Sequence, residues 1–204
     1  TTGINNTLVG ALSGDALIDA DYNVAVGYGS LSADTYGSRS TALGYSALNA
    51  QNFTTASTVY NVAVGYNAGG NISTGAENTI IGGQAGDALT TGASNVAVGY
   101  SALSTEDAHG KNTAIGYKVL EAQNAGADGY NVGIGYEAGN DITTGIQNTL
   151  IGGEAGDSLT DADYNVAIGI SALGADTLGS RSVAIGRAAL STQNFTTATD
   201  SYNT

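Results

Sequence analysis

The chain has 204 residues and a formal net charge of −13, with 18 acidic side chains against five Lys plus Arg. A surface this acidic repels phosphate backbones and anionic lipid, so nucleic acid is set aside as a partner. There is no cysteine, which removes disulfides and thiolate chemistry, and no apolar run approaches the roughly 20 residues of a membrane-spanning helix, so no membrane insertion is expected.

The 31 glycines are in register with aliphatic residues. A core of the form Asn-Val-Ala-Val-Gly, as at 61–65, recurs eleven times. In chain order the copies begin at Asn6, Asn23, Ser40, Asn61, Asn78, Asn95, Asn112, Asn131, Asn148, Asn165 and Ser182. The step is about 17 residues, with four more from Ser40 to Asn61 and two more from Asn112 to Asn131. Extra residues at fixed places predict a loop that bulges from one corner while the core keeps register. A longer period of about 70 residues relates "NTIIGGQAGDALT" from Asn78 to "NTLIGGEAGDSLT" from Asn148, so four copies make one larger unit. Both ends of the sequence fall inside the pattern, and the single array over 1–204 is expected to continue beyond them.

Each copy predicts a short strand. Its fourth position is always Val, Leu or Ile, its third is mostly Ala, and its second is Thr or Val. The fifth is glycine in every copy: Gly10, Gly27, Gly44, Gly65, Gly82, Gly99, Gly116, Gly135, Gly152, Gly169 and Gly186. β-Branched residues ending at glycine read as a strand followed by a forced bend. Glycine recurs too often for helices. One strand about every 17 residues predicts an all-β parallel solenoid in which each turn adds a rung about 4.8 Å along the axis. Identical side chains then form ladders. The glycines mark a corner where φ is positive or a Cβ would clash. The asparagines before the strand, among them Asn23, Asn61, Asn95, Asn131 and Asn165, are placed to bond backbone at the opposite corner and the rungs above and below.

The space inside the coil has two predicted fillings. Leu31, Leu48, Leu103, Leu120, Leu173 and Leu190 stand four residues after the core glycine, whereas Leu17, Ile72, Leu89, Ile142 and Leu159 stand seven residues after it. Tyrosines also fall in columns. Tyr28, Tyr45, Tyr66, Tyr100, Tyr117 and Tyr136 follow the core glycine, and Tyr22, Tyr60, Tyr130, Tyr164 and Tyr202 precede an Asn. They read as rings stacked on the rod surface or between chains, with glycan stacking as the functional alternative.

Alternate strand residues point to opposite sides, so Val24 and Val26 face one way and Ala25 the other, and neither side is charged. A strand apolar on both faces needs cover on both. The expectation is that one face fills the coil and the alanine face meets neighbouring chains, three of them about a common axis as a homotrimer.

"NVAVGYNAG", "STALGYSAL" and "SVAIGRAAL" resemble the left-handed parallel β-roll repeats in the heads of trimeric autotransporter adhesins, and the variant with longer connecting loops resembles shafts of bacteriophage tail fibres. The likeness covers essentially the whole chain. It departs from the adhesin heads in its longer turns. The resemblance implies a homotrimeric, non-catalytic segment of a virion fibre that supports host-cell attachment. The alternative is a bacterial surface adhesin head that binds matrix or glycan through its lateral face. Either places the chain on a virion fibre or at a cell surface, with host receptors or glycans met through other parts of the fibre.

The remaining residues carry little recognisable chemistry. His109, in "STEDAHGKN", is the single histidine and lies in a variable loop, where it reads as a bystander. No nucleophile has a base partner, and the spaced glycines of "GIGYEAG" lack the lysine and helix of a phosphate loop. No cofactor is expected. Asp19 and Asp21, with Asp15 nearby, and their repeat Asp161 and Asp163, after Asp157, are the calcium candidates, because Asp-x-Asp pairs can hold that ion; the plain reading is a solvated loop. A polysaccharide depolymerase needs an acid pair between chains, and the repeat offers none that can be named. An ice-binding solenoid needs flat threonine ladders, and here Thr alternates with Val at positions that read as buried.

Overall fold

The computed structural model describes residues 2–204. Among them every regular element is a strand, and there is no helix. In chain order the strands are β1 (Thr7–Val9), β2 (Val24–Val26), β3 (Gly37–Ser38), β4 (Thr41–Leu43), β5 (Ser57–Thr58), β6 (Val62–Val64), β7 (Thr79–Ile81) and β8 (Val96–Val98). β9 (Thr113–Ile115), β10 (Val132–Ile134), β11 (Thr149–Ile151), β12 (Val166–Ile168), β13 (Gly179–Ser180), β14 (Val183–Ile185) and β15 (Thr199–Asp200) complete the set. The eleven three-residue strands form one sheet, in the order β1-β2-β4-β6-β7-β8-β9-β10-β11-β12-β14. Every pairing is parallel and keeps the repeat register, Thr7 opposite Val24, Val24 opposite Thr41 and Thr41 opposite Val62. The chain is therefore a parallel β-solenoid with one such strand in every turn.

The long connections do more than bulge. After Ser40 the extra residues carry β5, which pairs with β3, and after Ser182 β15 pairs with β13 in the same way. The long turn from Asn112 to Asn131 contains no such pair.

The inside of the coil corrects one expectation. The alanines face inward: Ala25, Ala42, Ala63, Ala97, Ala114 and Ala167 are fully buried within the single chain. The second and fourth residues of each repeat core, the two ends of its strand, face outward, with Val24 38% exposed and Ile115 37%. The reason is volume. Leu31, Leu48, Leu103, Leu120 and Leu173 enter from the turn beyond the glycine and are fully buried, leaving room opposite for a methyl group only.

In some rungs the turn supplies less and the strand supplies more. Ile80 and Leu150 replace alanine in their rungs, and glycine stands opposite at Gly86 and Gly156. A Cβ added at Gly86 lies 2.9 Å from Leu89 Cδ1 and 3.1 Å from Ile80 Cδ1, so that glycine is the space the two larger side chains occupy. The two predicted fillings do share one volume, since Leu48 Cδ2 and Ile72 Cδ1 both border the site of a Cβ on Gly69. Val119 and Gly133 show the same exchange: the valine takes the place of the usual alanine in its turn, and the next strand gives up its Cβ to it. Close packing of this kind makes each methylene count.

Two ladders hold the rungs in step. The core glycines have φ between 121° and 141°, and a Cβ on each from Gly10 to Gly169 meets the backbone of the next glycine in the column. Both expected reasons for glycine hold together. The core asparagines from Asn23 to Asn165 are buried, and each links two turns. Asn23 Oδ1 accepts from Ser40 N at 2.8 Å while Asn23 Nδ2 donates to Gly37 O at 2.9 Å. Asn148 Oδ1 accepts from Asn165 N at 2.9 Å while its Nδ2 donates to Ala162 O at 2.7 Å. The residue before each core asparagine turns the corner in the left-handed region without being glycine, as at Tyr22 (φ 60°), Tyr60 (φ 57°) and Glu77 (φ 61°). Such a residue is strained by roughly 1–2 kcal/mol, and the asparagine bonds beside it offset that strain.

Candidate functional site

The outward side of the eleven-stranded sheet is an uncharged stripe that follows the whole coil. Its first column reads Thr7, Val24, Thr41, Val62, Thr79, Val96, Thr113, Val132, Thr149, Val166, Val183. Its second reads Val9, Val26, Leu43, Val64, Ile81, Val98, Ile115, Ile134, Ile151, Ile168, Ile185. No member is charged, and each is at least partly exposed. At about 4.8 Å per strand the stripe is roughly 50 Å long. Monomeric soluble proteins seldom expose contiguous apolar patches beyond a few hundred Å². The threonines read as buried from sequence lie on this open face.

Aromatic columns border the stripe on both sides. After the glycine, Tyr28, Tyr45 and Tyr66 stack with centroids 5.4 Å apart, and Tyr100, Tyr117 and Tyr136 stack at 5.7 and 5.3 Å. Gly83 interrupts the column between the two runs. Before the asparagine the rings do not stack on one another as expected; cations separate them. The Arg39 guanidinium lies 5.5 Å from the Tyr22 ring and 5.9 Å from the Tyr60 ring, and Arg181 lies 4.6 Å from Tyr164 and 5.8 Å from Tyr202. Lys111 sits 4.9 Å over Tyr130. A cation between two ring faces is attracted by both quadrupoles. It also breaks up an otherwise adhesive aromatic edge.

The gap at Gly83 makes a prediction. Gly83 is not in the left-handed region, and a Cβ there meets nothing closer than Tyr100 Cδ2 at 3.7 Å. Gly83→Tyr therefore joins the two three-ring runs into one column of seven. Each new ring pair is worth about 0.5–1.5 kcal/mol, so the denaturation midpoint is expected to rise. An unchanged or lower midpoint counts against the stacking account.

The calcium candidates are engaged otherwise. Asp19 accepts from Thr2 Oγ1 at 2.6 Å and Asp161 from Thr144 Oγ1 at 2.6 Å. Asp21 accepts Ile4 N at 2.7 Å and Asp163 accepts Ile146 N at 2.8 Å. These carboxylates tie one turn to the turn before it. Among the described residues they form no group of three close enough to share an ion.

His109, read from sequence as a bystander, lies beside a buried acid. Glu106 is fully buried beside it, with Glu106 Oε1 accepting His109 N at 3.1 Å and His109 Nδ1 3.7 Å from the same oxygen. Burial pushes the Glu106 carboxyl above its usual range, and the hydrogen bond from His109 N only partly opposes that. Sequence reasoning passed over Glu106. The available signal was its column: the position three residues after the buried leucine reads Asp34, Gln51, Glu106, Gln123, Asp176, Gln193, alternating acid and amide.

Comparison with protein-family models, with curated proteins and with solved structures returns no match for this chain.

Proposed function

We propose that the chain is a structural, non-catalytic segment of a homotrimeric virion fibre, each copy a left-handed coil, that holds a receptor-binding tip away from the particle and so supports host-cell attachment. The observation that carries this is the uncharged sheet face along the whole coil. It is regular, it lacks any covering element of its own chain, and it is long enough to supply the roughly 800 Å² per partner of a stable interface. Three such faces about one axis cover one another, whereas a two-fold pairing leaves a flat sandwich with the tyrosine edges apart. The repeat resemblance supports the same arrangement.

The test is solution mass. The parent is expected to sediment at three times the 20.2 kDa chain mass. Ile115→Asp puts a charge on a side chain that is exposed in the single coil, so the variant keeps its strand circular dichroism and falls to the mass of one chain. A parent that sediments as one chain overturns the trimer.

The half-exposed tyrosine columns favour a second reading, a bacterial surface adhesin head binding glycan along its side, because stacked rings present flat faces to sugar rings. Retention on immobilised glycans, lost in Tyr45→Ser, supports it. An ice-binding role draws on the outward threonines and needs the stripe to be free. It therefore stands only if the parent is a single chain, and a freezing-hysteresis measurement then decides it.

A further inference from the structure

The longer period gives the chain an internal control. In the first unit the buried Asp34 accepts Gly37 N and Phe53 N on Oδ1, each at 3.0 Å, and Gln51 Nε2 on Oδ2 at 2.5 Å. Gln51 Nε2 also donates to Ser40 Oγ at 3.2 Å. The third unit repeats this closed network with Asp176, Gly179, Phe195, Gln193 and Ser182.

The middle unit keeps the amide, Gln123, and the backbone bond to the acid, His109 N to Glu106 Oε1 at 3.1 Å, and changes three side chains around them. Glu106 replaces the aspartate, His109 replaces the glycine and Asn112 replaces the serine. The network opens. Glu106 Oε2, His109 Nδ1, Asn112 Nδ2 and Gln123 Nε2 are all buried and have no hydrogen-bond partner, and no other side-chain atom among the described residues is in that condition. Folded interiors leave few polar groups unpaired, and four at equivalent positions of one unit mark a missing partner. Glu106 Oε2 and His109 Nδ1 are both electron-pair donors. Asp107, exposed at the mouth, brings a second carboxylate, and one ligand atom from each of the three residues lies within 4.8 Å of the others.

We infer that Glu106, Asp107 and His109 form a binding site for one divalent transition-metal ion per chain. The donor set fits the class: imidazole with carboxylate oxygen suits Zn²⁺ and its neighbours better than calcium, which takes oxygen alone. A three-donor set leaves the fourth position open to solvent. The His109 side chain is 31% exposed, so an ion has a way in from the surface. Gln123 holds the position whose amide grips the acid in the other two units, but here its N–H and that of Asn112 bond no carboxylate, which leaves Glu106 Oε2 free to take an ion. The ion would clip the loop carrying Glu106 to His109, in the turn that precedes the long one without the extra strand pair.

The experiment uses the tag-free, chelator-treated chain titrated with ZnCl₂, read by calorimetry and by thermal melting. One saturable equivalent per chain is expected, together with a rise in melting temperature. His109→Gly and Glu106→Gln are each expected to weaken binding by at least about tenfold. A triple variant, Glu106→Asp with His109→Gly and Asn112→Ser, restores the residues of the outer units. It is expected to fold without metal and to ignore zinc in both readouts. Absence of saturable binding by the parent overturns the site and assigns the four polar atoms to bound water. So does binding that survives in the triple variant. The site lies within one chain, so neither outcome depends on how many chains assemble.

Discussion

Gly99→Ala is expected to lower stability by about 2–6 kcal/mol. Two costs combine. The residue sits at φ +136°, where an L side chain is strained by about 1–3 kcal/mol, and its Cβ would press on the carbonyl oxygen and carbon of Gly116 in the next turn. The neighbour cannot yield, because it is backbone held by its own ladder bond, Gly116 N to Val98 O at 2.7 Å. Overpacking of a rigid neighbour adds about 1–3 kcal/mol more. Chemical denaturation followed by circular dichroism measures the effect. The control is Gly126→Ala, where a new Cβ meets no atom within 4 Å and φ is not positive; its midpoint should stay within about 0.5 kcal/mol of the parent. Equal effects at the two positions end the ladder account of glycine.

Asn148→Ala is the second large effect. Asn148 is fully buried, and its amide closes contacts to the turns on either side: it accepts Asn165 N, donates to Ala162 O and lies 3.2 Å from Asn131 Oδ1. Truncation leaves the Asn165 N–H and the Ala162 carbonyl without those partners. Each buried group orphaned costs about 1–3 kcal/mol, so a loss of about 2–5 kcal/mol is expected in the same denaturation measurement. The loss should be local in origin, since each turn of a solenoid contacts only its neighbours. Proteolysis should accordingly cut near 148–165 before it cuts elsewhere. A variant with the parent's midpoint and cleavage pattern shows that water replaces the amide.

The coil was legible because identical residues recur at a constant step. Gly99 above Gly82 and Asn148 above Asn131 can be paired from the letters alone. The sense of the strand was not. Val-Ala-Val offers two apolar faces, and hydrophobicity ranks valine for the inside. What decides is the volume left by Leu31, Leu48 and Leu103, which arrive from another corner of the turn, so that only alanine fits opposite. That constraint is three-dimensional and has no fixed sequence offset: Ile80 answers Gly86, and Gly133 answers Val119. The same holds for the cation–ring sandwiches, where Arg39 and Tyr22 stand a full turn apart in the chain and come together only through the coil. At Glu106 the sequence carried the signal as a departure from its own period. The departure gained meaning once Asp34 and Asp176 were seen to be closed by their glutamines.

The rung-to-rung hydrogen bonds run along the rod axis, and this governs how the molecule comes apart under load. Tension applied at the two ends of a chain is borne by one turn at a time. A turn that lets go frees about 17 residues, or about 55 Å of slack at the reach of an extended chain, while its neighbours keep their bonds. Rupture is thus stepwise, with slightly larger steps at the long turns that follow Ser40 and Asn112, and a partly pulled molecule retains an intact template on which the freed turn can lie down again.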